Sequence, residues 1–280
     1  MRWGMFSGGR LKVESPKKKT GSPEPRVESG RLARCIAILS IALTVPLLAG
    51  SPAGQAVLEK SDISLHSPEN FRARVRITAG EGTKRGTSDV EVWRSGDRKT
   101  LVRFLEPKEK GKFLVRIDGV LWFISPGAKN PVKLTPSFKL RGGASLEEIL
   151  GIRYTRDYDV ENATEEKDDS GPLDVLDLRA KSKSAPYPKI RYIVRRNTNR
   201  PVRAEYRLPS GKVFSVVEFA EWQSGSRPLA KKLVIRDPLK PGAPTAVEFL
   251  EFEERPVPAA LFDLHAGDER EKLTKTPAVD

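Results

Sequence analysis

The chain carries few of the side chains from which active sites are built. Its two histidines, His66 and His265, stand far apart, and neither has a carboxylate at metal-ligand spacing. Its single cysteine, Cys35, lies inside an apolar run, so the rest of the chain can form neither a disulfide nor a thiolate metal site. No G-x-S-x-G elbow and no phosphate-cradling glycine loop occurs. Paired carboxylates can hydrolyse glycosides, but Glu165-Glu166 and Asp168-Asp169, beside Ser170-Gly171-Pro172, read as a solvated acidic loop. The chain is therefore read as a non-enzyme with no catalytic residue, metal or cofactor.

The remaining resource is apolar area. Trp93, Phe104, Phe113, Trp122, Phe138, Tyr192, Tyr206, Phe214, Trp222 and Phe249 are spread through segments of alternating polarity. Side chains of this kind either pack a closed core or wall a site for hydrocarbon.

The elements that position them are strands. Phe71, Ala73, Val75 and Ile77 alternate with Arg72, Arg74 and Arg76, giving a strand with one core face and one wet, cationic face. Val202 to Leu208 alternates in the same way. The pattern recurs at 88–94, 99–105, 173–180, 190–196, 212–221, 229–236 and 245–253.

The sharpest local signal is Lys112 to Ser125, where Asp118-Gly119 supplies a two-residue hairpin turn. With Ile117 opposite Val120, one face carries Phe113, Val115, Ile117, Val120, Trp122 and Ile124. The other carries Leu114, Arg116, Leu121 and Phe123. Six apolar side chains mark the first face as the interior. Pro209-Ser210-Gly211 and Asn197-Thr198-Asn199 each join a further strand pair.

Helical signal is scarce. Ser145 and Glu148 have capping-box spacing ahead of Ile149 and Leu150, and Gly151 stops the helix; a second short helix fits Val57 to Leu65. About eleven strands with one or two short helices predict a mainly β fold. It would be a strongly curved antiparallel sheet forming a half-open barrel whose concave face must be filled by side chains, a helix or a ligand. The Ser145 helix, with Leu146, Ile149 and Leu150 on its apolar side, fits either a lid over that face or an ordinary core contact.

Arg31 to Ala56 sets the compartment. Arg31 and Arg34 flank the uncharged run Cys35 to Ala49, and small residues at Ala53 or Ala56 offer a cleavage site. The run is shorter than the roughly 20 residues of a membrane-spanning helix. An uncleaved anchor, the alternative, reaches the same compartment. Residues 1–30 are excluded from fold reasoning, and Val27 offers a second possible start. Ser51 stands where a lipoprotein would carry its cysteine, so a soluble exported product is expected.

Residues 57–264 then form one domain and residues 265–280 a flexible tail. Of 50 basic and 37 acidic residues, 9 and 3 precede Val57, leaving a net charge of +7. That excess suits an anionic membrane surface or simple solubilisation. Export and the lack of aromatic residues among the arginines argue against nucleic acid.

Gly111-Lys112-Phe113-Leu114, then Val120 to Pro126, then the Ser145 helix, resemble in their order the outer-membrane lipoprotein-sorting protein family (LolA-like). Tyr187-Pro188-Lys189, Asn199 to Tyr206, Ser210-Gly211-Lys212, Pro256-Val257-Pro258 and Leu261-Phe262 extend the resemblance over roughly residues 70 to 264. It implies a half-open barrel with a helical lid in a periplasmic carrier or chaperone, which holds lipoprotein or lipid acyl chains in transit toward the outer membrane. A monomer that meets envelope transport proteins is expected. The cavity would be lined by Trp93, Phe104, Phe113, Val115, Ile117, Trp122, Ile124, Leu146, Ile149, Leu150, Tyr192 and Tyr206. An envelope sensor or interaction module with the same fold and a closed core is the alternative.

Overall fold

The computed structural model describes residues 51–65, 68–135, 138–140, 143–150, 152–223, 229–240 and 242–274. Residues 31–50 of the expected signal, and His66, lie outside them. All described residues belong to one compact unit, Pro46–Asp280.

The first half of the chain is a meander: β1 (Asn70–Ala79), β2 (Gly86–Ser95), β3 (Lys99–Phe104), β4 (Phe113–Ile117), β5 (Val120–Ile124) and β6 (Val132–Lys133). The second half is another: β7 (Tyr158–Asp168), β8 (Gly171–Ala180), β9 (Lys189–Arg195), β10 (Arg200–Arg207), β11 (Val213–Trp222), β12 (Ala230–Arg236) and β13 (Thr245–Glu254). β1 pairs antiparallel with β13, which joins the two meanders into one sheet of 13 strands ordered β6-β5-β4-β3-β2-β1-β13-β12-β11-β10-β9-β8-β7. β6 and β7 are open edges.

At about 4.8 Å per step, such a sheet laid flat would be roughly 60 Å wide. Yet one core cluster contains Leu114 of β4 and Leu178 of β8, near opposite edges. The sheet therefore curves round its own core as a half-barrel. The link from β6 to β7 has to run from one edge to the other. It carries α2 (Leu146–Leu150) and α3 (Tyr154–Asp157), and Ile149 and Tyr154 join the same cluster. Topology thus lays these helices across the inner face.

All eleven strands read from the sequence are present. The Asp118-Gly119 turn has φ of 48° and 82°, and the register is Ile117 to Val120, Val115 to Trp122 and Phe113 to Ile124. Asn199, with φ 54°, turns β9 into β10.

The face assignment of that hairpin is reversed. Leu114, Leu121 and Phe123 join the inner core, whereas Phe113 and Val115 belong to a second cluster with Trp93, Leu101, Leu261 and Phe262 on the other side of the sheet. This outer cluster exists because the C-terminal segment folds back. Leu261 and Phe262 lie in a 3-10 turn (Ala259–Phe262), followed by α4 (Asp268–Leu273). Arg270 is fully buried, donates to the Leu261 carbonyl at 3.1 Å, and lies 5.3 Å from the Phe113 ring. Residues 265–274 are therefore a folded strap, not a flexible tail.

At the other end, α1 (Pro52–Leu65) starts earlier than the expected Val57. Ser51 Oγ accepts from the Gly54 amide at 3.1 Å, as an N-cap does. A Cβ on Gly54 would sit 2.8 Å from Val160 and 2.9 Å from Ala163 of β7. Glycine here lets helix and strand touch. Cleavage after Ala56 would remove this docked first turn.

Two strands were missed. β6 is only two residues long. β7 contains Glu165, Glu166 and Asp168, which are not in a loop: they sit on the β7–β8 hairpin, where Glu166 pairs with Arg191 at 2.6 Å and Asp168 with Arg195 at 2.7 Å. The far half of β7, Thr164–Asp168, is polar on both faces, a common way to keep a sheet edge from pairing with other chains.

Candidate functional site

The cationic stripe of β1 is neutralised. Arg72 meets Glu91 at 2.6 Å, Arg76 meets Asp89 at 2.8 Å, and Arg74 lies 3.5 Å from both Asp89 and Glu251. The expected basic face is a ladder of cross-strand ion pairs, which leaves little unbalanced charge for an anionic surface. Among the described residues no group of three or more His, Cys, Asp or Glu side chains is placed to hold a metal. No described helix is long and apolar enough to cross a membrane.

The inner face carries a cleft of about 680 Å³, counted out to its open mouth. Only about 50 Å³ of it admits the centre of a water molecule, so it is narrow. Phe71, Phe219, Phe249 and Phe252 come from β1, β11 and β13, and Leu229, Ala230 and Leu233 from the approach to β12 and the strand itself. Phe71 and Phe252 stack with ring centroids 4.9 Å apart. The roof is Ile149 and Leu150 of α2, with Leu65 from the end of α1 and Tyr154 from α3.

α2 has only five residues, too few to persist alone. Its termini explain it. The Ser145 amide donates to Glu148 Oε2 at 2.7 Å and the Glu148 amide to Ser145 Oγ at 3.1 Å, the reciprocal capping box expected from the sequence. Glu148 also accepts from Ser215 Oγ of β11 at 2.7 Å and lies 3.6 Å from Lys139 Nζ. Ser145 Oγ and Tyr187 Oη are 3.0 Å apart, and Arg116 holds Glu147 at 3.0 Å. The roof is thus tied to the walls by polar contacts as well as by the burial of Leu146 and Ile149 in the inner core.

A tyrosine cluster lies beneath. Tyr154 and Tyr206 hydroxyls are 3.2 Å apart, and the Tyr192 hydroxyl is 2.9 Å from Ser61 Oγ of α1. Asp62 accepts from the Tyr154 amide at 3.2 Å and the Thr155 amide at 2.8 Å, capping α3. Burial pushes the hydroxyls of Tyr154, Tyr158, Tyr187, Tyr192 and Tyr206 above the ordinary phenol range. These are all 5 tyrosines of the chain. Neutral phenol is the form the fold accommodates, so their contribution holds below the unfolded value of about 10 and is lost as pH rises past it. In an ultraviolet titration, phenolate absorbance is expected to stay flat through pH ~10.5 and then rise in a single step together with loss of sheet signal. Gradual ionisation while the sheet persists would contradict the buried cluster.

Of the twelve expected cavity residues, Ile149, Leu150 and Tyr206 line the cleft, while Phe104, Leu146 and Tyr192 pack in the inner core without lining it. Trp93, Phe113, Val115, Ile117 and Ile124 pack instead in the outer cluster, and Trp122, opposite Val115, shares that face. Sequence reasoning missed Phe71, Phe219 and Phe252. The alternation that starts at Phe71 had already marked its face as core, and that signal was available. Tyr154 gave none, because it lies in a four-residue helix outside any periodic run.

A family model described as that of an uncharacterized protein matches residues 96–266. No curated protein matches the chain. A LolA superfamily protein from Nitrosomonas europaea is 25% identical with a TM-score of 0.67, covering 75% of this chain and 97% of that one. A DUF1329 family protein from Desulfovibrio piger (16% identity, TM-score 0.66) covers 77% of this chain and 98% of its own. A putative outer membrane lipoprotein-sorting protein domain from Vibrio parahaemolyticus (14% identity, TM-score 0.63) covers 80% and 99%. The last two share the fold. Residues 96–266 are more than half of the chain, so it belongs to the family of that model, and the likeness to the LolA superfamily protein bears out the LolA-like resemblance of its ordered motifs.

Proposed function

We propose that the protein is an exported, periplasmic carrier that holds acyl chains of lipids or lipoproteins in the cleft beneath α2 for transfer toward the outer membrane. The observation that carries this reading is the cleft itself, four phenylalanines and aliphatic residues on the inner face under a short, polar-tethered helix. Such a wall supplies area rather than bond chemistry. Burying hydrocarbon contributes about 0.8 kcal/mol per CH₂, so a chain of roughly 16 carbons contributes on the order of 10 kcal/mol before ordering costs. On this reading the narrow interior requires α2 to swing outward to admit a full chain. The export-signal pattern of Arg31–Ala56 supports a site of action outside the cytoplasm.

Titration with a fluorescent fatty acid tests the reading. Phe249→Asp is expected to weaken binding by about tenfold or more, since a buried aromatic contributes about 1.5–3 kcal/mol. Trp122→Ser, on the opposite face, is expected to leave binding unchanged. Equal binding by Phe249→Asp and the unmodified protein would contradict it. The narrowness of the cleft also favours a second reading, an interaction or sensor module with a closed core. Capture of a stable protein partner with no lipid uptake would select that one.

A further inference from the structure

The cleft has a polarity that its apolar walls do not require. Leu233 and Ile235 of β12 belong to the inner core, and ahead of them the β11–β12 register breaks between Lys232, opposite Glu221, and Ala230, opposite Trp222. Lys231 stands at that break, exposed at the mouth and lining the cleft. Its neighbour Lys232 is neutralised by Glu248 at 3.0 Å and Glu221 at 3.5 Å. Lys231 makes no ion pair among the described residues.

The other charge lining the cleft is Glu148. Its carboxylate is fully buried and accepts from the Ser145 amide and Ser215 Oγ, with Lys139 3.6 Å away. Its acceptor oxygens are occupied from the protein side, and an anion pushed inward would meet a negative group in a poorly hydrated interior. Among the described residues that line the cleft, the cation an anion at the mouth meets is Lys231. The two charges therefore sort an amphiphile end for end, tail inward and anionic head outward.

We propose that the cleft selects anionic amphiphiles, with a carboxylate or phosphate headgroup held at Lys231 and the acyl chain below. This rests on the carrier reading and adds to it a headgroup class and a specificity-determining residue. Lys231 acts as a point charge at a wet rim, so the preference is modest and falls with added salt.

The test uses the delipidated, exported full-length protein at pH 7.5 and four probes: palmitate, palmitoyl-lysophosphatidate, neutral monopalmitoylglycerol and inorganic phosphate alone. The unmodified protein is expected to bind the two anionic amphiphiles about five- to tenfold more tightly than the neutral one, and phosphate not measurably. Lys231→Met and Lys231→Glu are expected to remove the difference while keeping affinity for monopalmitoylglycerol, and Lys231→Arg to retain it. The residue is exposed, so these variants are expected to fold. Equal binding of all three amphiphiles by the unmodified protein, or a preference surviving in Lys231→Glu, would overturn the inference and leave the carrier reading standing. Phosphate competing at the same concentrations would replace a lipid headgroup with a free-anion site. Failure to bind any amphiphile would overturn both.

Discussion

Replacing Glu91 with alanine is expected to cost about 3–5 kcal/mol of stability, the usual loss when one partner of a buried charge network is removed. Glu91 is 1% exposed and accepts from Arg72 at 2.6 Å, Arg103 at 2.8 Å and the Trp93 indole at 3.1 Å. The Trp93 ring also lies 5.7 Å from the Arg72 guanidinium and 5.3 Å from that of Arg255. Without the carboxylate, Arg72 and Arg103 repel across the outer cluster and the indole N–H loses its acceptor. At about 2–4 °C per kcal/mol for a domain of this size, thermal unfolding should shift down by roughly 10 °C. Glu91→Gln keeps the indole acceptor but not the charge, and should fall between. A shift under about 2 °C for the alanine variant would show that the network is solvated and worth little.

The second large effect is local. Glu148→Ala removes half of the capping box on α2 and leaves Ser215 and the Ser145 amide without their acceptor. A lost cap costs about 1 kcal/mol, and each orphaned buried group about 1–3 kcal/mol. A five-residue helix has no internal reserve to offset this. Hydrogen exchange should show protection lost across Ser145–Leu150 while the central strands β1 and β13 keep theirs. Fatty-acid uptake should become faster, because the roof opens more often. Unchanged exchange at α2 would mean that apolar packing of Leu146 and Ile149 holds the helix, and that it does not act as a lid.

Much of the strand framework was legible in the chain. Period-two alternation and the Asp118-Gly119 and Pro209-Ser210-Gly211 turns located eleven strands, and Ser145 with Glu148 located the roof. These signals are local, set by turn dihedrals and side-chain alternation. What the alternation could not decide was which face of β4 and β5 looks inward. Six apolar residues against three pointed to the first face as the interior. Here both faces are covered, one by α1 to α3 and the other by the C-terminal strap, so a count of apolar residues carries no sense of direction. The strap itself was hidden by its composition. Residues 265–274 read as charged and terminal, while their contribution depends on one buried arginine, Arg270, and on Leu261 and Phe262 docking 150 residues away in sequence from Phe113 (about that separation, well beyond any local pattern). β7 escaped for the opposite reason: its edge position tolerates charge on both faces, and its partners Arg191 and Arg195 come from β9, across the neighbouring β8.

The inner cleft was foreseen as a consequence of curvature rather than as a set of residues. A sheet that bends round its core must close, fill or open its concave side. This one fills most of it with aliphatic side chains and five tyrosines and leaves a phenylalanine-lined opening beneath α2. The position of that opening follows from β1 pairing with β13, which brings Phe71 and Phe252 together from opposite ends of the domain.

Native mass spectrometry of the protein purified from the envelope reads the occupancy of the cleft. A population carrying acyl lipid is expected, released on denaturation and reduced in Phe249→Asp. A protein that is reproducibly empty, and that takes up no fatty acid when one is offered, would contradict the carrier reading.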